Sequence, residues 1–356
     1  MRADTLTAAS AAVIGPLVAA WRQAGDGHAT IVRSFAMAGS RVRFEIVGEA
    51  LAAAITRAFA HLVIEAVDVP DLRVLLWDVA ATGVGRPLSD LRLMMRDQSA
   101  FGDGVVARQA DGLTGFQSPR IFAALDAAHG VLAGCVTDAA ALSFFEIGKP
   151  LQPLLFQWHA AHGTLPLHGA LVSADGRGML FGGRGGSGKS TSALSCAHAG
   201  LDFLGDDYVG IASDAGGAPI GHSLYASAWL EDGHSERIGW LAGHRLPGTE
   251  TGERKLSFSV IDALPGAMIR RTRIVAIALP RVTGQAVASA RRIGPGEALR
   301  RLAPSSILQI PFLETPEAMA AIGRLVRSCP CYELAVGPDL PSIAACVRDL
   351  LREQPA

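Results

Sequence analysis

The run Gly183-Arg184-Gly185-Gly186-Ser187-Gly188-Lys189-Ser190 has the pattern G-x-x-x-x-G-K-S, and few octapeptides restrict a fold as strongly. Such a phosphate-cradling loop works only between a strand and a helix N-terminus. Both neighbours are legible. Gly178-Met179-Leu180-Phe181 is a short apolar run that enters the loop as a strand. Thr191 to His198 has helix-compatible composition, and Gly200 supplies a C-cap. Phe203-Leu204-Gly205-Asp206-Asp207 then reads as a second short strand that ends in two carboxylates. Strand, loop, helix and acidic strand end, in that order, predict an α/β fold.

Each residue type has a physical task. The glycines let backbone N–H groups converge on phosphate oxygens with no Cβ in the way. The helix dipole favours the negative charge that collects there. The expected phosphate-binding set is therefore Gly183, Arg184, Gly185, Gly186, Ser187, Gly188, Lys189, Ser190 and Thr191. Lys189 reaches the β- and γ-phosphates as a point charge, and the Ser190 hydroxyl binds Mg²⁺. Asp206 and Asp207 begin seventeen residues after Lys189. Neighbours on a strand point to opposite faces, but at a strand end the backbone can turn both towards one site. Phosphate transfer to a hydroxyl needs one carboxylate as base and another for the metal.

Leu167-His168-Gly169-Ala170, the loop from Gly183 to Ser190, and Gly200 to Asp207 together resemble the catalytic core of HPr kinase/phosphorylase. They are also similar to the HPr-kinase-related proteins of peptide-modification clusters, including lasso-peptide kinases. The resemblance is strong over residues 165–210 and weaker elsewhere. It implies an HPr-kinase-like P-loop core with a mixed sheet, preceded by a smaller α/β N-terminal domain. It implies ATP and Mg²⁺ as cofactors, Asp206 as general base towards an acceptor serine, and Asp207 as a second metal ligand beside Ser190. His168 matches the family histidine next to the catalytic pair. Arg254 and Lys255 stand where related proteins carry a basic pair, so Arg254 is a candidate for neutralising the transferring phosphoryl group. Thr191 and Arg184 occupy positions where the family has acidic residues. The family's glycine-rich signature loop is missing after the aspartates, which argues against the phosphorylase reaction and against HPr as substrate.

The expected activity is an ATP- and Mg²⁺-dependent serine kinase acting on a protein or a ribosomally made precursor peptide. Two other readings stay open. One is a nucleotide-binding regulatory protein without phosphotransfer. The other is a small-molecule phosphotransferase related to phosphoenolpyruvate carboxykinase, whose further metal-binding Lys and His and substrate arginines have no visible counterpart here.

A net charge of −1 over 356 residues gives no bulk electrostatic case for nucleic acid or an anionic membrane. The five cysteines are scattered, and Cys329-Pro330-Cys331 is not a zinc spacing. This fits thiols in a reducing, cytoplasmic setting. Family analogy implies a homo-oligomer. Thr5 to Trp21 is Ala-rich and uncharged, but Asp4 and Pro16 and the helical stripe Val13, Leu17, Trp21 argue for a packed helix and not a signal peptide.

Three regions follow: an N-terminal helix (1–28), an α/β domain (29–150) that is a candidate for selecting the acceptor, and the P-loop core with C-terminal helices (151–356). In the second, Thr30 to Phe35 and Arg41 to Val47 predict a hairpin, Ala50 to Leu62 a helix, Leu72 to Trp77 a strand, and Ala139 to Gly148 a helix. Strands are also expected at Gly104 to Arg108 and near Thr114 to Gln117. In the third, 231–257 reads as a mobile loop over the site, Ile274 to Leu279 as a strand stopped by Pro280, and Leu340 to Leu351 as a final amphipathic helix.

Overall fold

The computed structural model describes residues 8–109, 112–231, 236–248, 255–306 and 309–355. The chain forms two compact units, Met1–His162 with Pro247–Thr251, and Gly163–Leu246 with Gly252–Ala356. The division falls after His162, twelve residues beyond the expected 150. The helix Gln152–Ala161 thus belongs to unit 1. No described helix is long and apolar enough to cross a membrane.

Unit 1 is built on a nine-stranded mixed sheet. Its strands are β1 (Thr30–Met37), β2 (Ser40–Val47), β3 (Val63–Ile64), β4 (Leu72–Asp78), β5 (Asp97–Phe101), β6 (Gly104–Arg108), β7 (Leu113–Gln117), β8 (Ile121–Asp126) and β9 (Val131–Val136). They lie in the order β3-β1-β2-β4-β9-β8-β7-β6-β5. The hairpin forms because Ala38 and Gly39 adopt φ of 48° and 92°, the twist a two-residue turn needs. β2, β4 and β9 run parallel, and the rest of the sheet pairs antiparallel.

The helix Ala8–Gly25 buries Val13, Ile14, Leu17 and Val18 against Leu75, Trp77 and Ala133. Each such aliphatic side chain is worth about 1.5–3 kcal/mol. Around the turn from Ala139 to Gly148 the single expected helix is two. A 3₁₀ turn, Ala139–Ala141, ends before Ser143, whose hydroxyl and Glu146 form a capping box that starts a new helix, Phe144–Gly148.

Unit 2 carries a second nine-stranded sheet. Its strands are β10 (Leu165–His168), β11 (Ala170–Ala174), β12 (Arg177–Phe181), β13 (Asp202–Gly205), β14 (Tyr208–Ser213), β15 (Pro219–His222), β18 (Arg271–Val282), β19 (Ser289–Ile293) and β20 (Cys331–Val336). A separate ribbon pairs β16 (Ser227–Glu231) with β17 (Lys255–Ser259). β12, β18 and β20 are parallel neighbours. The helices Lys189–His198 and Leu340–Arg352 pack on one face through Ala193, Leu194, Ile343 and Val347. The helices Pro295–Ser306 and Pro316–Ser328 cover the other through Leu302, Ile322 and Leu325.

Two expectations are corrected here. β18 runs through Pro280 to Val282. Ile277 and Thr283 donate their N–H groups towards β20, so the even-numbered positions face β12. β12 has already ended at Phe181, opposite Ala278, and Pro280 therefore breaks no ladder bond. The described part of 231–257 is packed and not a free loop: Ile238 and Leu241 of the segment Glu236–His244 are buried in the core.

Candidate active site

After Phe181 the chain turns through residues 182–188 into the helix that opens at Lys189. Gly183, Gly186 and Gly188 adopt φ of 118°, 72° and 102°, which side chains rarely tolerate. Gly188 is the helix N-cap and offers no side chain to cap it. Ser192 N–H donates to Gly188 O at 2.9 Å, leaving the N–H groups of Lys189, Ser190 and Thr191 without an intrahelical acceptor. These three residues line a cavity of about 180 Å³ at the carboxyl ends of the parallel strands, where open α/β sheets receive ligands.

Lys189 is only 7% exposed. Its ammonium donates to Gly183 O at 2.8 Å and Arg184 O at 3.0 Å. Burial pushes its pKa below the ordinary 10.5, against the pull of Asp206 and Asp207. Arg184 contributes this carbonyl, while its side chain is exposed and does not line the cavity.

The two aspartates form the break between β13 and β14. Asp207 takes a left-handed φ of 67°, which aspartate tolerates better than most residues. This kink separates the carboxylates. Asp206 is 3% exposed and does not line the cavity. Its Oδ2 accepts the Trp229 N–H at 2.8 Å, and its Oδ1 is buried with no close hydrogen-bond partner among the described residues. Burial and the Asp207 charge raise its pKa, while the Trp229 N–H and the Ser190 hydroxyl pull it down.

Asp207 lines the cavity. Its Oδ1 lies 3.4 Å from His168 Nε2 and 3.7 Å from Lys255 Nζ. His168, at the end of β10, contacts Ser305 O through Nδ1 at 3.1 Å. A carbonyl only accepts, so Nδ1 carries a proton and Nε2 faces the carboxylate.

The structure thus brings Lys189, Ser190, Thr191, Asp207 and His168 to the lining of one cavity, with Gly185, Gly186 and Gly188 of the loop; Gly183, Arg184, Ser187 and the buried Asp206 lie outside that lining. Arg254 lies outside the described residues. Its neighbour Lys255 reaches the site from β17, opposite Glu231 in the ribbon. Trp229, Leu230 and Glu231, consecutive on β16, also line the cavity, and no motif in the sequence marks them. Val282, Thr283, Val336, Gly337, Pro338 and Ile343 form the remaining wall. The ends of β18 and β20 become visible as site residues only once those strands are known to flank β12.

Ser187 Oγ is also buried without a partner among the described residues. The Ser190 hydroxyl and the unpartnered Asp206 Oδ1 form an oxygen-only donor set, the chemistry Mg²⁺ prefers when phosphates and water complete its shell. These residues fit that ion.

No family model and no curated relative matches the chain. A solved structure of the Hpr(Ser) kinase/phosphatase from Coxiella burnetii is similar at a TM-score of 0.29 and 14% identity, over 52% of this chain and 95% of that one. A likeness of this size assigns no activity.

Proposed function

We propose that unit 2 is an ATP- and Mg²⁺-dependent phosphotransferase acting on a hydroxyl, with a serine of a protein or precursor peptide as acceptor. The carrying observation is the pairing of two carboxylates in different settings beneath one glycine-rich helix start. Asp206 is sunk beside Ser190, and Asp207 lines the cavity between His168 and Lys255.

The loop amides and the helix start hold the phosphates, and Lys189 exchanges its carbonyl contacts for phosphate oxygens. Ser190 and Asp206 hold Mg²⁺, which supplies charge neutralisation when bound. Asp207 accepts the acceptor's hydroxyl proton, and His168 Nε2 stands beside its Oδ1. Lys255 offsets charge on the acceptor side. This reverses the two aspartates relative to the assignment implied by the family resemblance. The reason is accessibility: a base must reach the substrate proton, and Asp207 lines the cavity whereas Asp206 does not. Positioning and electrostatics carry such transfers.

Titration calorimetry with ATP, with and without Mg²⁺, tests the binding half. Wild-type protein should bind only weakly without the ion, and Lys189→Met should lose most affinity in its presence. Equal binding by both proteins would overturn the loop's assigned role. Mass-spectrometric detection of phosphoserine on offered peptides tests the transfer half.

A further inference from the structure

Unit 1 has its own cavity, of about 580 Å³, at the carboxyl ends of β4 and β9. β4 delivers Val79, β9 delivers Cys135 and Thr137, and the start of β8 contributes Ile121 and Phe122. The floor is apolar: Phe122 and Cys135 are 3% and 4% exposed. Burial lifts the Cys135 thiol to about 12, so it stays neutral and serves as wall.

The rim is charged and its pairs can be counted. Arg92 grips Asp90 with two guanidinium nitrogens, at 2.9 Å and 2.6 Å. Asp103 is held by Arg120, which also binds Glu146. Arg86 has no carboxylate partner among the described residues; its guanidinium lies over the Phe122 ring at 5.4 Å. The named charges balance, three cations against three carboxylates, but Arg86 makes no ion-pair contact among the described residues and feels Asp90 only at longer range, so its guanidinium stays open to a ligand above an apolar floor. Gln117 has its side-chain oxygen engaged by Leu91 N–H at 3.0 Å, which leaves its amide NH₂ as a donor beside the rim.

We infer that this cavity binds an organic monocarboxylate with an apolar body, the carboxylate on the Arg86 fork and the body on Phe122, Ile121 and Val79. The fork matches a carboxylate in the plane, and the ring beneath it fixes the guanidinium's tilt. The ligand's source is either a peptide carboxylate or a free carboxylic acid. The inference stands apart from the phosphotransfer reading, because its readout is binding alone.

The experiment is calorimetry on the full chain with 4-phenylbutyrate, with an N-acetylated Phe-Leu dipeptide acid, and with the same dipeptide as its amide. Both acids should bind, the amide should not, and Arg86→Gln should weaken binding roughly ten- to a hundred-fold. Arg86→Lys should recover part of that loss. A tighter dipeptide acid marks a peptide as the source, and a tighter phenylbutyrate marks a small acid. Absence of millimolar binding by either acid, unchanged binding in Arg86→Gln, or equal binding of the amide would overturn the proposal.

Discussion

Both units place a cavity at the carboxyl ends of parallel strands, β4 and β9 in one and β12, β18 and β20 in the other. They treat charge in opposite ways. In unit 2 the charges are buried, with Lys189 at 7% and Asp206 at 3% exposure, and each depends on the next. In unit 1 the charges stand at the rim, where the Arg92 side chain is 53% exposed and more open to screening by water. A buried set costs stability unless its partners are complete, and it repays that cost only where charge must be handled during a reaction. On the two proposals made above, the contrast is between a site arranged for chemistry and one arranged for recognition.

The largest expected effect tests the chemical side. Asp207→Asn should lower turnover about 10²- to 10⁴-fold while Mg²⁺-ATP affinity stays within about threefold, as read by single-turnover kinetics and calorimetry. Full turnover in this variant would erase the distinction between the two aspartates. Asp206→Asn should remove the Mg²⁺ dependence of nucleotide binding, and it should also leave the ligand-free protein more stable at neutral pH. The sign follows from the raised pKa of Asp206. The folded state holds the extra proton, so wild-type stability falls as pH rises above the ordinary 3.8. The asparagine variant lacks that loss, and melting curves between acid and neutral pH should diverge accordingly.

Lys255→Met should cost about tenfold in turnover, less than a fully buried donor would, because its side chain is 38% exposed. In unit 1, Arg86→Gln should leave stability within about 0.5 kcal/mol; a larger loss by chemical denaturation would place that arginine in the fold's own support. The smallest effect concerns the nucleobase. Thr283, the one polar side chain in the wall formed with Val282, Val336 and Pro338, accepts the Gln285 N–H through its hydroxyl at 3.3 Å. No other side chain of that wall reads a base edge, so ATP and GTP should bind within about threefold of each other.

How legible these sites were follows the same division. The loop, Lys189 and Ser190, and the convergence of His168 with the aspartates could be read because glycines at strained φ and adjacent carboxylates leave a mark in sequence. What the pattern could not give was which aspartate faces the cavity. That depends on a single left-handed residue, Asp207, and on Trp229 N–H arriving from a strand 23 positions away. In unit 1, β8 and β9 escaped detection because Ile121–Asp126 and Val131–Val136 are buried at every position, and a fully buried strand has no alternation to read. Their absence concealed the sheet's breadth and with it the cavity. Arg86 stands in a stretch with no motif and acquires meaning only from Phe122 beneath it.

The most direct measurement is transfer of phosphate from γ-labelled ATP with Mg²⁺, run side by side on wild-type, Asp206→Asn and Asp207→Asn proteins, with peptides and cell extract as acceptors and products mapped by mass spectrometry. The account predicts a phosphoserine product from the wild-type protein, Mg²⁺-ATP binding without product from Asp207→Asn, and loss of Mg²⁺-dependent binding in Asp206→Asn. Nucleotide binding by the wild-type protein with no transfer to any acceptor, or an Asp207→Asn variant that transfers at the wild-type rate, would contradict it.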